Sequence, residues 1–364
     1  MPAPNASSTS VSIPVTSIAD AVEFLRTVGG FELRRIQPAD SPREARLERD
    51  GTLVDLHIGT PTGARLVIER HPSDDSRPDD GDVEGPDGIV IRMTAPPCLV
   101  VPMIREETTV GDGDAVGAWH LGRADMEYRD LVPSRLGGAV IASHIRVRAA
   151  GPVPDYVHHH DVLFQLIFCR RGWVKVVYED QGDPFVLQAG DCVTQPPGIR
   201  HRVLENSDGM EVVEIGYPAE HMTTVERTLK LPNGVNPDRR WHGQAFVRHD
   251  ASNRSWTSLS LGVERSETGI RGATAGLADV DLVRIEPDST LTLESVGANH
   301  PRLLFVVSGS AVVNVDGTRR DLAEGTTLSL RSEHRAEITA RSVTTLLRII
   351  LDASQDPGYW RPIV

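Results

Sequence analysis

HHHDVLFQ at residues 158–165 and GDCVTQPPGIRHRVLEN at residues 190–206 decide how this chain is read. Side chains at i and i+2 of a strand share a face, so His158 and His160 project to one side and His159 to the other. Strict alternation would turn position 165 away from that side. A bend within Asp161-Val162-Leu163-Phe164 lets Gln165 face the same point. In the second stretch Pro197-Gly198 makes a tight turn that sets the next strand, and His201 enters from it. Three neutral imidazoles and an amide oxygen can hold a divalent first-row metal and leave one or two positions open. An open position is the mark of catalysis, whereas a structural staple closes its coordination sphere. The bland alternative is a relic fold with an empty or water-filled pocket.

The background is rich in strands. From about residue 120 onward, short stretches such as GGAVIASHIRV, WVKVVYED and MEVVEIGYP are separated by Gly, Pro and Asp turns. Many short strands at such spacing predict a sandwich or jelly roll. The arrangement then recurs. LGGAVIASHIRVRAAGPV (136–153) parallels TAGLADVDLVRIEPDSTL (274–291), and FQLIFCRRGWVKVVYEDQGDPFVLQAGD parallels RLLFVVSGSAVVNVDGTRRDLAEGT. An internal duplication, two copies of one β-fold, follows.

Gly151, His158, His160, Gln165 and Gly172, followed by Gly190, Pro196, Gly198 and His201, resemble the paired motifs of the cupin superfamily. The resemblance implies a mainly β fold, two tandem jelly-roll barrels, with one mononuclear metal in the first. His158, His160, Gln165 and His201 would be its ligands. Glutamate is usual in the family where Gln165 stands. The exchange removes a negative charge, strengthens the Lewis acidity of the metal, and removes a carboxylate that could take a proton from substrate. Iron, zinc, nickel and manganese all stay open as the metal, iron being slightly preferred from the family's oxygenases. The second copy has no HxH. His300 stands alone, Pro301 or Arg302 takes the place of Gln165, and Ala336 falls roughly where His201 would, so this copy reads as metal-free.

Other pocket candidates are His144, on a strand expected to border the same barrel, Tyr156 just before the ligand pair, and Glu214 on the strand after the second motif. Glu211 shares that strand. Arg170-Arg171 lies at a turn beside Gly172 and reads as solvent-facing.

The N-terminal part has a different texture. VSIPV (11–15) reads as a strand, and SIADAVEFLRTVGG as an amphipathic helix capped by Ser17, with Ile18, Val22, Leu25 and Val28 as its apolar stripe and Gly29-Gly30 as its stop. Strands FELRRI, REARLER, TLVDLHIG and ARLVIER follow. This βαβββ module resembles one module of the glyoxalase, or vicinal oxygen chelate, superfamily. No histidine stands on its first strand, so it reads as a degenerate module serving packing or assembly. PSDDSRPDDGDVEGPDG (72–88) is too rich in Asp, Pro and Gly to bury a core and reads as an acidic loop or linker. The expected boundaries are 11–95 for this module, 115–230 for the metal-binding barrel and 240–352 for the metal-free one.

Composition narrows the partners. Net charge is −13 with no lysine-rich stripe, which disfavours nucleic acid. No apolar run approaches the roughly 18 residues that cross a bilayer, and residues 1–15 lack the pattern of a signal peptide, so the expectation is a cytoplasmic protein without a membrane partner. Cys98, Cys169 and Cys192 are widely spaced, odd in number and read as reduced, buried thiols. The cupin resemblance implies a homodimer or larger homo-oligomer and a small oxygenated organic substrate, chelated through a carbonyl or enolate. Oxygen-dependent dioxygenation competes with redox-neutral cyclisation, isomerisation or lyase chemistry. A non-catalytic metal- or metabolite-binding protein is the rival from another class.

Overall fold

The computed structural model describes residues 9–69, 81–94, 101–111, 119–352 and Ser354. Cys98 and most of the acidic loop, residues 72–80, lie outside the described residues. The chain divides into two compact units, residues 1–97 and 98–364.

The first unit has the β-α-β-β-β order read from the sequence. Strand Ser10–Val15 is followed by helix Ile18–Thr27 and strands Glu32–Gln37, Glu44–Arg49 and Thr52–Ile58. The first strand runs parallel to the fourth, and two antiparallel hairpins complete the sheet. Ser17 caps the helix by accepting from the Asp20 backbone N–H at 3.3 Å. Ile18, Ala21, Val22 and Leu25 form its buried stripe against Ile13, Val15, Leu47, Val54 and Leu56. A second, three-stranded sheet consists of Ala64–Glu69, Ile89–Thr94 and Asp82–Glu84.

The second unit holds two barrels, each built from two facing sheets. The seven-stranded sheet of the first runs in the order Arg248–His249, Cys192–Thr194, Phe164–Arg171, Met210–Tyr217, Ile141–Val147, Glu127–Asp130 and His120–Leu121. Facing it is a six-stranded sheet of Phe185–Gln188, Trp173–Tyr178, His201–Asn206, His158–His160 and Thr223–Val225, with Gly151–Pro152 pairing beside His158–His160 onto His201–Asn206. The second barrel repeats the order: Thr327–Leu330, Arg302–Ser308, Thr344–Leu351, Ala278–Ile285 and Val263–Glu267 lie side by side as their counterparts do. A four-stranded sheet, Thr290–Leu293, Ala336–Ala340, Ser310–Val315 and Thr318–Ala323, faces them.

The duplication extends to irregularities. The register slips between Cys169 and Arg171 in one barrel and between Val306 and Ser308 in the other, each time just before a glycine with positive φ, Gly172 or Gly309. That alignment places Arg302 at the position of Gln165. Likewise Ser143 pairs with Glu214 as Asp281 pairs with Arg348. In the second barrel these positions bond to the backbone and to each other, with the Arg302 Nε alone left without a partner. Arg302 donates to the carbonyls of Glu294, Arg331 and His334 at 2.6, 2.8 and 2.5 Å, and Arg348 forks onto Asp281. Aliphatic side chains such as Val283, Leu304, Val313 and Leu346 fill the space beyond.

Apolar outer faces of the two large sheets share one core, in which Leu166, Phe168 and Ile215 meet Leu282, Phe305 and Leu347. The edges are exchanged as well. Thr109–Gly111, which precedes the first barrel in sequence, pairs with Thr327–Leu330 of the second. Arg248–His249, which follows the first barrel's last strand, pairs back onto Cys192–Thr194.

Candidate metal centre

Each histidine of the opening motif owes its place to a local backbone feature. His158–His160 belongs to the six-stranded sheet; the chain then leaves it through residues 161–163 and enters the opposite sheet at Phe164. That crossing restarts the alternation, so His158, His160 and Gln165 all line one cavity. His201 lies directly across the strand pair from His158. The turn before it closes through the Ile199 N–H on the Pro196 carbonyl at 3.1 Å, with Gly198 at φ +76°. Gly198 also donates its N–H to the His160 carbonyl at 3.1 Å, which ties the turn to the ligand strand.

One ring nitrogen from each of His158, His160 and His201 lies within 4.8 Å of the others. The Nδ1 atoms of His158 and His201 donate to the carbonyls of Tyr156 and Ile199 at 2.8 and 3.0 Å. A carbonyl only accepts, so in both rings Nδ1 carries the hydrogen and Nε2 keeps its lone pair. His160 Nδ1 pairs with the Thr223 hydroxyl at 2.9 Å. Such outer partners fix ring orientation in metal sites. Burial above all holds all three imidazoles below their ordinary value, His160 and His201 far below it, and the triad is therefore neutral at neutral pH. Tyr178, fully buried, stacks on His201 with ring centroids 5.5 Å apart.

The residues present fit a divalent ion: three neutral nitrogen donors converge, with oxygen donors nearby. One cation already sits close. Arg123 pairs with the buried Asp155, and its Nη2 lies 3.1 Å from His158 Nε2, to whose lone pair it donates. A metal and Arg123 compete for that lone pair.

Gln165 is 1% exposed. Its amide nitrogen donates to Glu214 Oε1 at 2.5 Å, while its carbonyl oxygen is buried without a partner. Both residues line the cavity of about 430 Å³. The remaining wall is mostly aliphatic, with Ile141, Ile145, Val174, Val176, Val203 and Met210.

Two of the other sequence candidates lie elsewhere. His144 sits between Ser143 and Ile145, both of which line the cavity, so alternation turns its ring to the opposite face. There Nε2 donates to Glu211 at 2.9 Å, Nδ1 accepts from Arg129 at 2.9 Å, and the ring packs against Trp119 and Phe305. Burial holds His144 below its ordinary value despite Glu211, so it is neutral, and one tautomer satisfies both contacts. Arg170 is not solvent-facing: it bridges Glu211 of the first barrel to Glu324 of the second. Tyr156 is 42% exposed, outside the cavity lining, edge-on to the His158 ring at 5.9 Å. Sequence reasoning missed Arg123 and His221. His221 lines the cavity with its ring 5.3 Å from His160. Both come from irregular segments with no motif spacing to announce them.

No family model and no curated protein matches this chain. Among solved structures it is similar to salicylate 1,2-dioxygenase from Pseudaminobacter salicylatoxidans, with 15% identity over 70% of this chain and 87% of that one, at a TM-score of 0.52. It is also similar to oxalate decarboxylase from Lactobacillus farciminis in a formate complex, with 12% identity over 67% and 84% of the two chains, at a TM-score of 0.48. The fold is that of the bicupins: two cupin barrels in tandem, preceded by a βαβββ module.

Proposed function

We propose that the chain is a metal-dependent cupin enzyme, with His158, His160 and His201 holding the ion and the Gln165 oxygen as fourth donor. The observation that carries this reading is the convergence of three imidazoles whose Nδ1 atoms are already engaged. When bound, the metal supplies Lewis acidity toward a carbonyl or enolate and, as iron, redox capacity toward dioxygen. The chain's own residues do the rest. The aliphatic wall excludes water and selects a small, largely apolar molecule; Glu214 offers an acceptor to a substrate hydroxyl; and Arg123 stands beside His158 as the only guanidinium lining the cavity among the described residues. The salicylate 1,2-dioxygenase that shares the fold supports the oxygen-dependent form of the reading.

A redox-neutral cyclase, isomerase or lyase is favoured by one observation. The position where the family usually has glutamate is a neutral amide, and Glu214, one strand over, supplies the carboxylate in the cavity. Elemental analysis of protein expressed with several metals, followed by turnover of diketones, catechols and flavonols with and without air, separates the two. About one iron per chain and air-dependent turnover supports the dioxygenase. Zinc or nickel with turnover that ignores oxygen supports the redox-neutral enzyme. A chain that takes up no metal even on reconstitution overturns both.

A further inference from the structure

We infer that Glu214 is a positioning residue that sets which way the Gln165 amide faces, and so makes its oxygen a donor toward the three-histidine site. The inference rests on the metal-binding reading above and deepens it. A glutamine amide is nearly symmetric in shape, and only its hydrogen-bond partners decide which end points where. A carboxylate accepts and cannot donate. Placed 2.5 Å from the amide, it admits the NH₂ end alone, and the carbonyl oxygen must turn away from it.

The strand register makes this pairing a built feature. Gln165 lies opposite Gly216, which has no side chain to fill the site, and Glu214 is the diagonal neighbour on the same face. The released oxygen is buried and has no partner. An unmet buried acceptor is costly, and one that lines a cavity beside three converging imidazoles is placed for a partner that arrives. The second barrel is an internal control. There the equivalents of Ser143, Gln165 and Glu214 are Asp281, Arg302 and Arg348: Arg348 pairs with Asp281, Arg302 donates to backbone carbonyls and keeps only its Nε without a partner, and no acceptor is left open because Arg302 offers only N–H groups. The same scaffold thus carries an oxygen donor in one copy and a cation in the other.

Cobalt(II) titration, read by calorimetry and by the visible absorption of the bound ion, tests the assignment without any turnover. Four proteins are compared: wild type, Glu214→Gln, Gln165→Leu, and the exchanged pair Gln165→Glu/Glu214→Gln. Thermal unfolding of each metal-free protein checks that it folds. In Glu214→Gln the second amide can accept or donate, so the facing of Gln165 is no longer fixed. Affinity is expected to fall about 10-fold, the usual effect of losing an outer partner of a metal site, with a changed cobalt spectrum. Gln165→Leu should weaken binding at least as much. The exchanged pair should recover affinity, because a carboxylate at position 165 presents oxygen at both ends and the amide at position 214 donates to one of them. Glu214→Gln with wild-type affinity and spectrum overturns the inference, as does an exchanged pair no better than the single variant. Wild-type protein that binds no cobalt overturns the metal reading beneath it, a result distinct from either.

Discussion

Arg123 donates to Nε2 of His158, the nitrogen that a metal needs, and pairs with Asp155, whose side chain has no exposure. Arg123→Lys keeps a charge for Asp155 but loses the fork that reaches the imidazole. Metal affinity of this variant should rise several-fold, by roughly the 1 kcal/mol of one released hydrogen bond, as measured by cobalt titration. Equal or weaker binding would place Arg123 among the groups that assist the ion. At this scale the sequence was informative only where spacing carried geometry. His158, His160 and His201 follow from strand alternation and a turn. His144 needed its parity relative to the cavity, which depends on pairing with a strand distant in sequence: Ser143 lies opposite Glu214. Arg123 and His221 have no periodic neighbours at all, and only the closed barrel brings them to the triad.

Among the elements, the turn from Pro196 to Ile199 has the most direct bearing on the site. Gly198 sits at φ +76° with open space around its Cα, so an added methyl group meets no neighbour and only the backbone conformation resists. Gly198→Ala should cost about 1–2 kcal/mol of stability, seen as a lower urea midpoint. Through the Gly198 N–H bond to His160 it should also weaken metal binding. Unchanged affinity would show that the turn serves folding alone. The strands around this turn were legible because apolar residues alternate within them, and so was the helix Ile18–Thr27, whose cap and stripe are local. The two-residue strand Arg248–His249 was not, since it forms only against Cys192–Thr194.

On the scale of the molecule, the two barrels are joined by a common core and by an ionic bridge. Leu347 is fully buried in that core, and Leu347→Ala should cost about 2–5 kcal/mol, lowering the stability of both barrels in one transition. Two separate transitions, with only the second shifted, would contradict a shared core. The ionic bridge gives a pH dependence. Burial pushes Glu211 up, but the His144 hydrogen bond and the Arg170 guanidinium outweigh it and hold the carboxyl at about 2, below its ordinary 4.5. A carboxyl depressed on folding stabilises the native state fully above its ordinary value, and that contribution is lost as pH falls through this window. Glu211→Gln should therefore flatten the acid limb of the stability curve between about pH 4.5 and about pH 2; a limb as steep as wild type assigns the loss to other carboxyls. The duplication itself was visible in two sequence stretches about 138 residues apart, yet the ion pairs that fill the second barrel were not, because Asp281 and Arg348 meet only across the sheet.

The exchanged edge strands bear on how the two copies have been free to diverge. A duplicate that no longer performs the chemistry is ordinarily dispensable, and loss by deletion is its expected fate. Here residues 109–111, which precede the first barrel, complete the second, so no single cut through the chain releases the second barrel whole, whereas residues 120–249 carry every strand of the first. Loss of the copy without the triad would strip the partner from residues 109–111 and bare the apolar face of the first barrel's large sheet, so that copy is free to change its interior and bound to keep its borders.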